Sequence, residues 1–231
     1  MRHFIVFIMC ALISQFSYSQ IYEIGLYAGG SNLIGDVGST KYISPNQPAF
    51  GGVFKWNRSP RHSYRLSIIH TELNAEDSKS DDPRRIQRDF KYAESLLEIA
   101  LGMEFTFFDF NLHYEGFKST PYLFTGISFG KHDNNYFNNG VQTFENSSSW
   151  AVGIPLAVGY KATITDHLLI AAEIGARYTF TDELDGSVPD ADWLQQQFSF
   201  GNLNNNDWYM FTGITLTYTF ARKPCYCDFL E

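Results

Sequence analysis

Cysteine is scarce in this chain of 231 residues, and so are charged side chains and long apolar segments. Its three cysteines are Cys10, Cys225 and Cys227, too few for a fold held together by disulfides. No segment has 18 uncharged apolar residues in a row, which excludes a helical membrane protein. Only 18% of the residues are charged and the net charge is −8, which argues against a nucleic-acid partner, because phosphate binding needs clustered Lys and Arg.

The first residues have the layout of a secretory signal peptide. A short basic start at residues 1–3 is followed by an apolar run over residues 4–13, and Ser17 and Ser19 occupy the two positions that a signal peptidase reads. The apolar run is too short to remain as a membrane anchor, which needs about 20 residues. We therefore expect residues 1–19 to be a signal peptide, with cleavage before Gln20.

Aromatic residues, in contrast, are abundant, at 17% of the chain, and they mark the ends of segments that alternate between large and small side chains. Residues 150–160 show the pattern best. One face carries Trp150, Val152, Ile154, Leu156, Val158 and Tyr160; the other carries Ala151, Gly153, Pro155, Ala157 and Gly159. A period of two predicts a β-strand, and aromatic ends are typical of strands that cross a membrane.

Eight segments follow this pattern with varying quality. They are 20–30, 48–58, 62–72, 90–107, 120–131, 150–160, 167–180 and 207–220. Eight is the smallest strand number of a common closed barrel, and single-chain bacterial barrels have even strand numbers. The sequence thus predicts an all-β fold over residues 20–220: an eight-stranded antiparallel transmembrane β-barrel in a bacterial outer membrane.

Charged residues of the predicted strands fall on the small-residue face. In the better strands the set comprises Glu94, Glu98, Glu104, Lys161, Glu173 and Arg177, and in the weaker strands Glu23, Lys55 and Arg65 can be placed inward as well. A soluble sandwich would place charges outward, whereas the lumen of a membrane barrel accepts them. The interior of an eight-stranded barrel is only wide enough for its own side chains, so we expect these charges to form a packed plug rather than an ion pathway. We expect a small change on this face, such as Gly213→Ala, to be milder than Leu101→Arg or Ile174→Arg on the lipid-facing side.

The predicted connections differ in length at the two ends of the barrel. Those near 59–61, 108–119 and 163–166 are assigned to the periplasm, and the longer, polar ones near 31–47, 73–89, 132–148 and 181–206 to the outside. Both termini then lie in the periplasm. Arg84, Arg85 and Arg88 of one outer loop have two interpretations that the sequence favours equally: contact with phosphates of outer-membrane lipid, or ordinary loop charge.

A short tail, residues 221–231, follows the last predicted strand. It carries Arg222, Lys223, Cys225, Tyr226, Cys227 and Phe229, which we take as candidate partner-binding residues. A bridge between Cys225 and Cys227 would be strained, because residues i and i+2 seldom reach disulfide geometry. Two cysteines are also too few for a structural zinc site. In the oxidising periplasm this favours an intermolecular disulfide to another protein.

The sequence shows no catalytic constellation, no metal-binding pattern and no cofactor motif. His70 near Ser67, or His62 near Ser63, is the only arrangement that suggests a barrel lipase or acyltransferase, and neither has the spacing of a nucleophile elbow. Histidines at the membrane edge or in solvent are the simpler interpretation. The chain is therefore predicted not to be an enzyme.

Four stretches of the chain resemble the PorG-type outer-membrane proteins of the type IX (Por) secretion system of Bacteroidetes. They are Gly29–Asp36, Arg84–Phe110, Ser119–Ile127 and the cysteine-bearing end; Leu33 stands where the family pattern commonly has Tyr. The resemblance implies an eight-stranded barrel without enzymatic activity. It also implies association, through the periplasmic turns and tail, with the lipoprotein and partner subunits of a secretion ring.

Three classes of function remain open at this level. The first is a secretion component that anchors a periplasmic complex to the outer membrane. The second is a generic OmpA-type barrel with a structural or adhesive role carried by its outer loops. The third is a lipid-modifying barrel enzyme.

Overall fold

A computed structural model describes residues 21–202 and 205–220, and these residues form one closed antiparallel barrel. Each strand pairs with its neighbours in the sequence, and the first strand pairs with the last. The prediction of an eight-stranded barrel is confirmed. The predicted signal peptide and the tail with its candidate partner-binding residues lie outside the described residues.

The strands are long and continuous. Their bounds are β1 Ile21–Ile34, β2 Gln47–Asn57, β3 His62–Glu76, β4 Lys91–Thr106, β5 Ser119–Asn138, β6 Val141–Thr163, β7 Leu168–Thr179 and β8 Trp208–Phe220. Two short helices, α1 (Pro83–Arg88) and α2 (Asp192–Phe198), and a 3₁₀ turn at Asp77–Lys79 lie in connections. None of the helices in the described ranges is long and apolar enough to cross a membrane.

The two rims of the barrel are built differently. The terminal rim holds the first and last described residues, Ile21 and Phe220, and the connections 58–61, 107–118 and 164–167. The distal rim holds the connections 35–46, 77–90, 139–140 and 180–207, which include both helices. The helical N-cap of α1 is Asp82, whose carboxylate accepts a hydrogen bond from the backbone N–H of Arg84.

The hairpin of β5 and β6 corrects the predicted loop over residues 132–148. Most of that range is strand, and the connection is the two-residue turn Asn139–Gly140. Both residues have positive φ, at 50° and 84°, which the strand twist of a tight hairpin requires and which Asn and Gly adopt readily. A register irregularity between Asp133 and Asn135 bends the hairpin above the rest of the barrel.

The outer surface of the barrel is apolar and its interior is polar. Exposed side chains on the outer face include Leu26, Leu101, Ile127, Leu156, Val158 and Ile214, whereas Glu23, Lys55, Arg65, Glu98 and Arg177 inside are at most 1% exposed. Aromatic residues stack near the terminal rim, with Tyr22 between Phe54 and Phe220. Apolar side chains facing out, charges facing in and an aromatic girdle are the distribution of a membrane-spanning barrel.

Candidate functional site

The centre of the lumen holds a bidentate ion pair between β3 and β7. Arg65 Nη1 and Nη2 donate to the two carboxylate oxygens of Glu173 at 2.5 and 2.9 Å, and the Tyr122 hydroxyl donates to the same carboxylate at 2.7 Å. The guanidinium also lies 4.6 Å from the ring centroid of Phe124. Planar guanidinium and carboxylate groups match in this geometry, although Arg65 Nε is buried without a hydrogen-bond partner.

A second pair lies next to the first, toward the distal rim. Arg177 on β7 donates from Nε to the two carboxylate oxygens of Glu98 on β4 at 3.3 and 3.2 Å. The Tyr209 hydroxyl donates to Glu98 at 2.6 Å, and Phe211 lies 4.8 Å from the guanidinium. This layer repeats the first, with one cation, one carboxylate, one tyrosine hydroxyl and one aromatic ring.

The layer nearest the terminal rim has one carboxylate and two cations. Glu104 on β4 forms ion pairs with Lys161 Nζ at 2.5 Å and with Lys55 Nζ at 2.8 Å. Glu23 on β1 accepts hydrogen bonds from the Asn57 amide and the Thr217 hydroxyl, both at 2.8 Å. Lys161 also lies 4.8 Å from the ring of Phe110, which belongs to the connection between β4 and β5.

The buried charges of these layers balance. The carboxylates are Glu23, Glu98, Glu104 and Glu173, and the cations are Lys55, Arg65, Lys161 and Arg177. A buried charge needs pairing and hydrogen bonds; Glu98, Glu104 and Glu173 are each paired with a cation, while Glu23 is hydrogen-bonded by neutral groups. The geometry fits a packed plug, which closes the lumen with its own side chains.

Of the lumen charges singled out from sequence, the structure brings Glu98, Glu104, Glu173 and Arg177 into these layers. Glu94 lies apart, near the distal rim, where it accepts hydrogen bonds from the backbone of Asp133 (2.8 Å) and the amide of Asn135. Two of these carboxylates have partners among the other inward charges: Glu104 pairs with Lys55 and Lys161, and Glu173 pairs with Arg65. The alternation of side chains along the strands already placed these three cations inward. Which carboxylate each one pairs with depends on the register between strands, which the sequence does not show.

Gly213 shows that even a small addition on the lumen face has a steric cost. A methyl group on Gly213 would lie 2.5 Å from the Tyr27 hydroxyl oxygen and 2.7 Å from the backbone oxygen of Ala28. The side chain can move, but the backbone of β1 cannot without loss of strand pairing. Gly213 is therefore required for close approach between β8 and β1.

The connection between β4 and β5, residues 107–118, covers the terminal end of the lumen. Its Phe110 and Leu112 are buried against Ile21 and Leu169, the inward residues at the ends of β1 and β7. The backbone N–H of Phe110 donates to the carbonyl of Pro60 at 2.9 Å. On the other side, the backbone N–H of Thr163 donates to the carbonyl of Lys118 at 2.9 Å. The connection is therefore held to both neighbouring turns.

The same connection exposes three large aromatic side chains. Phe108, Tyr114 and Phe117 are 62%, 68% and 77% exposed, although the segment around them is fixed. The Lys118 ammonium donates to the carbonyls of Tyr114 and Glu115, at 2.5 and 3.1 Å, and so closes the turn on which two of them lie. We call these three residues the aromatic patch of the terminal rim. The tail begins after Phe220 at the same rim.

The distal rim is organised by Arg88, the last residue of α1. Its guanidinium donates to the Asp77 carboxylate at 2.7 and 3.0 Å and to the backbone carbonyl of Asp36 at 2.8 Å. It also lies within 5 Å of the ring centroids of Phe90 and Phe200. Arg88 thus connects three loops. Arg84 pairs with Asp82 and Arg85 with the carbonyl of Gly38, so these arginines already have partners within the protein.

Neither histidine–serine pair that would suggest an enzyme forms. His70 faces outward on β3 whereas Ser67 is buried inside, and Ser63 donates to Asn57 rather than contacting His62. His62 Nδ1 lies 3.2 Å from Ser59 Oγ in an exposed turn. Within residues 21–202 and 205–220, no group of three or more His, Cys, Asp or Glu side chains is placed to hold a metal ion.

Comparison with known proteins gives one family match. The model of the family described as a domain of unknown function, DUF6089, matches residues 2–229. No curated protein matches the sequence.

Several solved structures of outer-membrane proteins are similar at low identity. The N-terminal β-barrel domain of OprF from Pseudomonas aeruginosa is 12% identical with a TM-score of 0.45, over 87% of this chain and 98% of that one. Ail from Yersinia pestis is 12% identical with a TM-score of 0.46, over 87% and 99%. Neisserial surface protein A is 10% identical with a TM-score of 0.46, over 88% and 98%. The fold assignment above rests on the strand pairing within this chain.

Proposed function

The chain belongs to the DUF6089 family, whose description names no activity, and we propose that it is a non-enzymatic outer-membrane barrel that anchors a periplasmic protein assembly. The assembly we propose is the ring of the type IX secretion system, built from a lipoprotein and an associated ring protein. The barrel would be integral to the outer membrane, in contact with its lipids, with the terminal rim and both chain ends in the periplasm.

The observation that carries this proposal is the aromatic patch of the terminal rim. Periplasmic turns of outer-membrane barrels are ordinarily short, yet residues 107–118 form a twelve-residue connection fixed to both adjacent turns. Exposed aromatic side chains on a fixed backbone bind a partner with little loss of conformational entropy, and aromatic residues dominate binding energy at interfaces. A surface of this kind suits stable attachment to a protein.

The packed lumen supports an anchoring role over a transport role. Balanced ion pairs and tyrosine hydroxyls fill the barrel from Glu23 to Glu98, as described above, so a solute has no open path there. In the proposed role the barrel acts through its surfaces rather than through transport or catalysis. Of these, the terminal rim is the one that a periplasmic partner would reach.

The tail adds a second part to the proposal. Arg222, Lys223, Cys225, Tyr226, Cys227 and Phe229 follow soon after Phe220 in the sequence, and Phe220 ends β8 at the terminal rim. An intermolecular disulfide from Cys225 or Cys227 would hold a barrel to a large assembly even where the non-covalent contact is weak, because linkage raises the effective concentration to about the millimolar range. The resemblance of four stretches to PorG-type proteins supports the same assembly.

A structural or adhesive barrel is the second candidate. The distal loops favour it, because they pack into a defined cap with Leu33, Val37 and Leu184 buried, while Trp193 on α2 stays 67% exposed. In that case the distal rim, rather than the terminal rim, would carry the function. The two candidates therefore predict contacts at opposite ends of the barrel.

Photo-crosslinking in living cells separates them. A photoreactive residue at Phe117 should yield an adduct with a secretion-ring subunit, and one at Asn139, on the distal hairpin, should not. Replacing Phe108, Tyr114 and Phe117 together with Ser should reduce secretion while the barrel still inserts and migrates in a heat-modifiable manner. Normal secretion in a deletion strain, or adducts at Asn139 alone, would refute the anchor.

The tail is tested on non-reducing gels. The wild-type protein should show a reducible adduct of higher mass, and the Cys225→Ser/Cys227→Ser variant should lose it. Secretion should fall in that variant although the barrel still inserts. An absent adduct in the wild type, together with normal secretion in the variant, would remove the covalent part of the proposal and leave the aromatic patch as its basis.

A further inference from the structure

A polar pocket of about 360 Å³ lies at the distal rim, between the loop that joins β1 to β2 and the end of β3. Ser39, Lys41, Ser44 and Asn46 of the loop form one wall, and Asn74 and Lys79 belong to the opposite wall. Ligand-binding clefts of proteins have volumes of roughly 300–1,000 Å³. The pocket is therefore large enough for one small ligand.

The loop wall of this pocket is fixed to the barrel by hydrogen bonds. The side-chain amide of Asn32, on β1, donates to the carbonyl of Tyr42 at 3.0 Å and accepts from the backbone N–H of Ser44 at 3.3 Å. Asn46 connects the two walls, because its side-chain amide donates to the backbone carbonyl of Asn74 at 2.9 Å. The pocket is thus largely preformed, and a preformed site loses little conformational entropy when a ligand binds.

Two side chains of the loop wall are free to contact a ligand. Within residues 21–202 and 205–220, Lys41 and Ser44 take part in the loop's hydrogen bonds through their backbone N–H groups only. The Lys41 ammonium and the Ser44 hydroxyl are therefore available. Ser39 Oγ accepts from the backbone N–H of Lys41 at 3.2 Å, which leaves its own hydroxyl hydrogen available as a donor.

The charges of the pocket favour an anion. Lys41 and Lys79 are its cations, and Glu76 is its acid. Lys79 Nζ donates to Glu76 at 2.7 Å, but the two side chains are 59% and 34% exposed, and an ion pair so exposed to water is weak. Both ammonium groups can therefore serve a ligand. A phosphate group, which carries close to two negative charges at neutral pH, matches two lysines better than a carboxylate does.

The neutral groups of the pocket favour a sugar as the rest of the ligand. Ser39, Ser44 and Asn46 carry hydroxyl and amide groups, which can both donate and accept hydrogen bonds. Sugar hydroxyls need partners of both kinds, because a polar group that is buried without a partner costs free energy. Among the described residues that line the pocket none is aromatic, so a nucleotide base would find no ring on which to stack.

We propose that this pocket binds a phosphorylated sugar, with the phosphate between Lys41 and Lys79 and the sugar hydroxyls on Ser39, Ser44 and Asn46. Free sugar phosphates and the phosphorylated sugar headgroups of glycolipids share this chemistry. The site uses the distal rim alone, so it does not depend on the anchor proposed for the terminal rim.

Calorimetric titration of the full-length barrel in detergent micelles tests the site. Glucose 1-phosphate should bind at one site per barrel, more tightly than glucose or inorganic phosphate. Lys41→Ala should weaken this binding about tenfold, the loss expected for one hydrogen bond to a charged group. Lys131→Ala, the matched control, removes an exposed lysine of β5 outside the pocket and should leave binding unchanged. Ser44→Ala should weaken the binding of glucose 1-phosphate but not that of inorganic phosphate.

Nanodiscs distinguish the two sources of the ligand. If the ligand is a lipid headgroup, nanodiscs that contain lipid A should abolish the binding of added glucose 1-phosphate, and nanodiscs with dephosphorylated lipid A should not. Unchanged binding in both assigns the site to a free sugar phosphate. The proposal is overturned if glucose 1-phosphate shows no saturable binding in micelles, if Lys41→Ala and Lys131→Ala have equal effects, or if inorganic phosphate binds as tightly as the sugar phosphate.

Discussion

Single residues in the lumen show how this barrel tolerates charge in its interior. Glu173 accepts three hydrogen bonds, two from Arg65 and one from Tyr122. Both donors are held in place because they lie on paired strands, β3 and β5. The sequence placed Glu173 inside correctly, because the position alternates with Ala172 and Ile174. It could not name Arg65 as the partner, since residues 108 positions apart meet only through barrel closure.

Glu173→Gln should destabilise the folded barrel by about 3–5 kcal/mol, because it leaves the buried Arg65 guanidinium without a counter-charge. Urea unfolding in detergent or lipid, followed by heat-modifiable gel migration, measures the loss. The double replacement Arg65→Met/Glu173→Leu should cost much less than the sum of the two single changes. Additive losses would mean that the two charges are not coupled.

At the scale of the elements, period-two alternation predicted all eight strands but not all of their ends. The strands β5 and β6 extend well beyond the predicted segments 120–131 and 150–160. Alternation is enforced where one face meets lipid and the other meets the lumen, so it fades where a hairpin rises above the membrane. This explains why residues 132–148 read as a loop although most of them are strand. The signal that was available there is Asn139–Gly140, a dipeptide that favours a tight hairpin turn.

Leu101→Arg on β4 and Ile174→Arg on β7 should impair assembly, since each places a charge on the lipid-facing surface at a cost of about 2–4 kcal/mol near the midplane. Ser148→Arg is the matched control. It is an exposed position of β6 in the part of the strand beyond its pairing with β7. Yield of heat-modifiable barrel in membranes measures assembly. Equal yields for all three variants would show that the lipid-facing surface is wrongly assigned.

At the scale of the whole molecule, closure of the barrel creates the features that the sequence alone did not reveal. The aromatic patch at the terminal rim depends on the fixed path of residues 107–118, and the sequence showed only a turn there. At the distal rim, the Asp185 carboxylate accepts a hydrogen bond from the backbone N–H of Asp36, 149 positions earlier in the chain. Composition and alternation predict a barrel, but they do not predict which of its ends presents a binding surface.

The proposed anchor at the terminal rim depends most directly on which rim of the barrel faces the periplasm. Single cysteines at Gly116, beside the aromatic patch, and at Asn139, on the distal hairpin, are introduced with Cys225 and Cys227 changed to Ser. A membrane-impermeant thiol reagent applied to intact cells should label Asn139→Cys and leave Gly116→Cys unlabelled until the outer membrane is permeabilised. Labelling of Gly116→Cys in intact cells, with Asn139→Cys protected, would contradict the anchor at the terminal rim.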